Sequence, residues 1–263
     1  MAGQVGRITV ITSSQNPKIK LVRALLGRAK ERRQEGAFVA EGIRLVEEAE
    51  TRDWKFRFVL YDASLNARGS SLIERLLSRE IEVEEVSEPL MKSLSDTETP
   101  QGILAVLEIP NLPISNSLDF VLIPDQIRDP GNLGTLLRTA AAAGVQAVFL
   151  PPETTDAFAP KVVRSGMGAH FRLPIQSMKW EKIRRETKDL QVYLADMTGT
   201  SCWETDLRQP LALIVGSEAE GASEEARQLA SQRISIPMAG HVESLNAGVA
   251  GSVLMFEVVR QRT

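Results

Sequence analysis

The chain has 263 residues, 43% hydrophobic and 25% charged, enough to bury a proper core and long enough for two domains. One cysteine, Cys202, excludes a disulfide framework, and two histidines, His170 and His241, give no spaced Cys/His cluster, so metal-free chemistry is expected. A net charge of -3 argues against a uniform polyanion-binding surface, so any phosphate contact has to come from a local cluster.

The first residues lack the apolar core of a secretion signal, and no later segment stays apolar long enough to span a bilayer, so a cytoplasmic protein with no membrane contact is expected. Asn16-Pro17 makes a turn-like start, after which Ile19, Val22, Leu25 and Leu26 recur at helical spacing. Lys18, Lys20, Arg23, Arg28, Lys30, Arg32 and Arg33 surround them against one acid, Glu31, which predicts an amphipathic basic helix. On charge alone this is a solvated helix face. Phe38-Val39 reads as a short strand, 42–50 as a helix, 56–61 as a strand, 72–77 as a helix and 81–86 as an alternating strand, followed by a buried apolar run at 103–107. This predicts a small alternating α/β domain over 1–110. Over 109–117 two prolines, Pro110 and Pro113, and polar turn formers without periodicity mark a boundary, with 111–117 as the linker.

Over 118–263, short apolar strands at 120–123, 147–150, 192–195 and 211–215 alternate with helical segments such as 133–143 and 180–188. That alternation predicts a doubly wound parallel sheet covered on both faces.

Three segments carry chemistry. Asp125-Gln-Ile-Arg-Asp-Pro-Gly-Asn-Leu-Gly-Thr-Leu-Leu-Arg138 follows a strand, which puts Asn132 at the carboxyl edge of the sheet, where parallel-sheet proteins place their sites. Were the helix to start at Asn132, Arg138 could face the same pocket; taken singly, Asn132 is a helix cap and Arg138 a surface cation. Leu211 to Gly221 is a strand breaking into a glycine-bounded loop whose amides can grip a ligand, while Glu218 and Glu220 make it unsuited to phosphate. An ordinary turn with Ser223 as a helix cap fits the same residues. Neither a G-x-G-x-x-G nor a G-x-x-x-x-G-K-[ST] pattern occurs, which leaves dinucleotide and triphosphate binding without support. Finally, Pro237 and Gly240 force an irregular loop, and Ser244 is placed to cap a helix starting Leu245-Asn-Ala-Gly-Val-Ala-Gly-Ser252. Gly248 and Gly251 each cost about 1 kcal/mol in a helix relative to Ala, so something must approach closely: neighbouring backbone, a twin helix or a ligand.

In that order, D-P-G-N-L-G-T-x-x-R-T-A, G-S-E-x-x-G and I-P-M-x-G-x-x-x-S-L-N-x-x-x-A resemble the signature motifs of the SpoU branch of the SPOUT RNA 2′-O-methyltransferases. Asn16 to Lys20, Phe38 to Gly42 and Thr99 to Leu104 resemble that family's substrate-binding domain, so the resemblance spans nearly the whole chain. It implies a deep trefoil knot in the carboxy-terminal domain, a homodimer formed through that domain, and S-adenosylmethionine held by Gly216, Ser217, Ile236, Met238 and Leu245. It assigns catalysis and substrate orientation to Asn132, Arg138, Glu218, Ser244 and Asn246. Ala247-Gly248 departs from a more usual Val-Ser pair, which bears on helix packing.

The resemblance also gives the basic cluster a function. Lys18, Lys20, Arg23, Arg28, Arg32 and Arg33 become expected RNA contacts that position a structured RNA without reading its sequence. The RNA is expected to be ribosomal, with transfer RNA as the alternative substrate. A catalytically idle RNA-binding protein for ribosome assembly is the alternative from another class.

Overall fold

The computed structural model describes residues 10–95, 97, 99–109, 112–217, 221–240 and 244–263. It divides into two compact units, Met1–Pro110 with Phe158–Pro160, and Asn111–Ala157 with Lys161–Thr263.

In the first unit, Asn16 caps α1 (Pro17–Gly27) by accepting the Lys18 backbone N–H at 2.8 Å. Instead of one long basic helix there are two, because Arg28 is extended (φ -133°, ψ 129°) and α2 (Ala29–Glu35) starts anew. The break turns Arg32 inward, where it is only 4% exposed and donates to the Leu25 carbonyl, one of the acceptors that the end of α1 leaves without a helical partner. Arg32 is therefore a packing and capping residue, and its expected contact with RNA is corrected.

β1 (Ala37–Glu41), α3 (Ile43–Thr51), β2 (Phe56–Tyr61), α4 (Ala67–Ser78), β3 (Val83–Glu85), α5 (Glu88–Leu94) and β4 (Ile103–Glu108) complete the unit. Its sheet runs β1-β4-β2-β3, antiparallel except for the β2–β3 pair. The apolar stripe Ile19, Val22, Leu25 of α1 packs into a core with Phe58, Leu60, Leu104 and Val106. Helix α5 has no counterpart among the elements expected from the sequence.

Residues 112–119 form neither helix nor strand. The second unit then alternates β5 (Phe120–Pro124), α6 (Pro130–Ala142), β6 (Ala147–Leu150), α7 (Pro160–Gly166), β7 (Ile175–Ser177), α8 (Trp180–Glu186), β8 (Gln191–Ser201), β9 (Leu211–Val215), α9 (Glu224–Leu229), β10 (Gln232–Ser235) and α10 (Ala247–Arg262). The sheet order is β10-β8-β9-β5-β6-β7 and every pairing is parallel, as the alternation predicted. Every residue of β5, β6 and β9 is buried, so both faces of the sheet centre are covered. Strand order reverses between β5 and β9, and the carboxyl ends of these two neighbours are where a parallel sheet opens a crevice.

The glycines of α10 are explained by packing within the chain. A Cβ on Gly251 would lie 2.3 Å from Leu136 Cδ2 and 3.2 Å from Val215 Cγ2, and one on Gly248 would lie 3.3 Å from Thr135 Cβ. Helices α6 and α10 thus meet at backbone range, and Thr139 Oγ1 and Ser252 Oγ share a 2.8 Å hydrogen bond across the seam.

Candidate functional site

A cavity of about 270 Å³ opens at the carboxyl ends of β9 and β10 and against the middle of β8. One wall is the segment leaving β9, with Gly216, Ser217, Gly221 and Ala222; another is Ile234 to Ile236 and Met238; the third is Ser244, Leu245, Ala247, Ala250 and Leu254. Gly216, Ser217, Ile236, Met238 and Leu245, far apart in sequence, therefore face one space, joined by Ser244.

Gly216 is required by the wall itself, because a Cβ there would lie 2.9 Å from three backbone atoms of Gly221 and Ala222. Ser217 and Gly221 close the turn by exchanging backbone hydrogen bonds of 2.9 and 3.0 Å. Glu218 lies outside the described residues, as does His241.

Beside the cavity, the two asparagines singled out in the sequence meet. Asn246 Nδ2 donates to Asn132 Oδ1 at 2.8 Å, joining residues 114 positions apart. Asn246, not Ser244, caps α10, accepting the Val249 N–H at 3.2 Å. Asn132 is likewise not a cap: Asp129 fills that role, its side chain accepting the Asn132 N–H at 2.8 Å, and α6 begins at Pro130.

Six residues further along α6, Arg138 lies about 9 Å up the axis and about 240° around it from Asn132, so the two side chains do not share the cavity wall. Arg138 is exposed, and its side chain forms no hydrogen bond or ion pair among the described residues. Val249 and Phe256 on α10 are 47% and 50% exposed, leaving apolar surface on that helix.

Sequence reasoning missed the charged groups of the cavity, Asp196 and Arg227. The Thr198 backbone N–H, at 2.9 Å, holds the Asp196 carboxyl below the usual carboxylate range, against burial and helped by the Thr198 hydroxyl and the Arg233 guanidinium. Nothing in the sequence near Asp196 signals this position, which depends on β8 pairing with β10 some forty residues later. With Asp196 and Arg227 bringing opposite charges to walls that are otherwise mostly apolar or small, the cavity suits a ligand that joins an aromatic or aliphatic body to charges of both signs. Covalent catalysis has no support from Cys202, which is buried, with a thiol pushed up to about 11 by that burial. Among the described residues no three His, Cys, Asp or Glu side chains converge on a metal position, and no helix is long and apolar enough to cross a membrane.

On the first unit, Lys20, Arg23, Arg28 and Arg33 are exposed. Lys18 is engaged elsewhere, its amine 2.6 Å from Glu82 and 2.9 Å from Glu84, which removes it from an open cationic surface. Burial works to lower its titration, but these two carboxylates outweigh it and leave the net shift upward.

Residues 119–256 match the SpoU rRNA Methylase family, and residues 16–105 match an MRM3-like substrate binding domain. The chain is 34% identical to an uncharacterized tRNA/rRNA methyltransferase of Synechocystis, over 97% of this chain and 95% of that one. It is also 34% identical to a 23S rRNA guanosine 2′-O-methyltransferase of Bacillus subtilis, over 94% of this chain and 98% of that one. An AdoMet-bound rRNA methyltransferase from Sinorhizobium meliloti superposes with a TM-score of 0.84 at 31% identity, covering 97% of this chain and 98% of the other.

Proposed function

The chain belongs to the SpoU rRNA methylase family, and from that membership we propose that it transfers a methyl group from S-adenosylmethionine to a ribose 2′-hydroxyl of ribosomal RNA. The observation that carries this reading is the convergence of Gly216, Ser217, Ile236, Met238, Ser244 and Leu245 on one cavity beside the Asn132–Asn246 hydrogen bond. The apolar walls suit the adenine and methylene groups of the cofactor, and the Asp196 carboxylate suits its positive charge. The Bacillus subtilis relative acts on 23S rRNA by name, which favours ribosomal over transfer RNA.

The sulfonium-bound methyl group is electrophilic as supplied. The chain must therefore hold a ribose hydroxyl in line and ease the loss of its proton. Asn132, Ser244 and Asn246 hold the ribose and the loop geometry, and Glu218 is assigned to catalysis or substrate orientation by the family resemblance. Arg138 grips a substrate phosphate and orients the hydroxyl; a guanidinium with a pKa above about 12 is a poor base, whereas its planar fork matches a phosphate.

The working form in this reading is a homodimer whose carboxy-terminal domain is knotted. Exposed Val249 and Phe256 supply an apolar face for the second copy. Residues 1–110 deliver the RNA, with Lys20, Arg23, Arg28 and Arg33 as phosphate contacts, and 118–263 carry the chemistry, in the cytoplasm. The test is product analysis: alkaline hydrolysis of labelled RNA should leave the label in dinucleotides that resist cleavage at a 2′-O-methyl ribose. Label released in mononucleotides would place the methyl on a base and refute the assignment.

A further inference from the structure

Asp125 sits at the carboxyl end of β5, fully buried and away from the cavity wall. Its backbone N–H donates to the Val215 carbonyl at 2.8 Å, and its Oδ2 accepts the Ser223 backbone N–H at 2.6 Å. Val215 and Ser223 stand on either side of the segment whose Gly216, Ser217, Gly221 and Ala222 form a cavity wall. Ser223 in turn caps α9 through its hydroxyl, accepting the Ala226 N–H at 3.2 Å, and α9 brings Arg227 to the same cavity. One residue therefore ties both ends of the wall. The tie is costly, because Asp125 Oδ1 is buried without a hydrogen-bond partner among the described residues, and a carboxylate so placed is a poor choice for packing alone.

We propose that Asp125 is a positioning residue for the cofactor, clamping the wall residues Gly216, Ser217, Gly221 and Ala222 so that they are set before S-adenosylmethionine arrives. This rests on the reading that the cavity takes that cofactor. Burial raises the Asp125 carboxyl above its ordinary range; the Ser223 hydrogen bond opposes this, and the charges of Glu225 on α9 and Glu153 after β6 add to it. The ionised carboxylate makes the stronger bond to Ser223, so cofactor affinity falls as pH drops through that raised titration.

The test is calorimetric binding of S-adenosylmethionine to the full chain, together with turnover at saturating cofactor, for wild type, D125N and D125A. D125A should weaken binding about tenfold or more, the loss expected when a charged hydrogen bond is removed, and turnover at saturation should change far less. D125N keeps an acceptor for Ser223, so it should recover most of the affinity and show none of the fall in affinity that wild type shows as pH drops. D125A binding as tightly as wild type, or D125N retaining the wild-type pH dependence, would overturn the proposal. If D125A does not fold, the D125N pH comparison decides. A wild-type protein that fails to bind S-adenosylmethionine at any pH would overturn the cofactor reading itself, and this inference with it.

Discussion

Asn246 does two jobs, and two substitutions separate them. Its Oδ1 caps α10 through the Val249 N–H, and its Nδ2 bridges to Asn132. N246S keeps a capping oxygen and loses the bridge; N246A loses both. A cap is worth about 1 kcal/mol, and an exposed bridge between neutral amides about 0.5 kcal/mol. N246A should therefore lower the unfolding free energy by about 1.5 kcal/mol and N246S by about 0.5 kcal/mol, read from denaturant midpoints at constant slope. Methyl transfer should respond differently: if the bridge orients Asn132 toward the ribose, both variants lose similar turnover despite unequal stability, and N132A combined with N246S loses little more than either alone. Wild-type turnover in N246S would refute the bridge as part of the site. Equal destabilisation by Ser and Ala would refute the cap.

Further outcomes follow from the same packing and charges. G199A should destabilise strongly and weaken cofactor binding, because its Cβ would lie 2.5 Å from backbone atoms of Arg233 and Ile234, forcing β10 off β8 and displacing Ile236; urea titration and calorimetry read both effects. Charge reversal at Lys20 and Arg23 should weaken RNA binding and flatten its salt dependence with cofactor affinity and stability unchanged, whereas R32E should lower stability, since that side chain is buried against α1; filter binding against salt and thermal melts distinguish them. His170, buried with Nε2 2.7 Å from the Ala157 carbonyl, titrates at about 4 because burial penalises its charged form. The unfolded chain takes up that proton from about pH 6.5 downward while the folded chain does not, so stability is lost as pH falls from about 6.5 toward about 4, by up to about 3 kcal/mol. H170Q should flatten that part of the stability curve, and an unchanged slope would refute it.

The buried strands were the most legible elements. β5, β6 and β9 are short, wholly apolar runs that can be little else between helical segments, and they predicted the parallel sheet. β8 was read only as far as Ala195, because Asp196 to Ser201 is polar and becomes strand through pairing with β10, itself exposed at Gln232 and Arg233 and unmarked in sequence. That same pairing explains why Asp196 went unnoticed as a cavity residue. In the first unit the apolar stripe from Ile19 to Leu26 hid the break at Arg28, and with it the inward turn of Arg32. Conversely Gly216, Ile236 and Leu245 came from the resemblance of their motifs to the family's, not from propensity, and the fold brings all three to one cavity. The Asn132–Asn246 contact could not be read from spacing, since it depends on the close approach of α6 and α10 that the glycines of α10 allow.

The measurement that bears most directly on the account is transfer of labelled methyl from S-adenosylmethionine to unmodified ribosomal RNA and to transfer RNA side by side, with R138A and R138K as controls. The account predicts label in ribosomal RNA, lost in R138A and largely lost in R138K, while cofactor binding by both variants stays at the wild-type level. Label in transfer RNA alone would overturn the substrate, near-normal turnover in R138K would overturn the bidentate grip on phosphate, and tight binding of cofactor and RNA without any transfer would contradict catalysis itself.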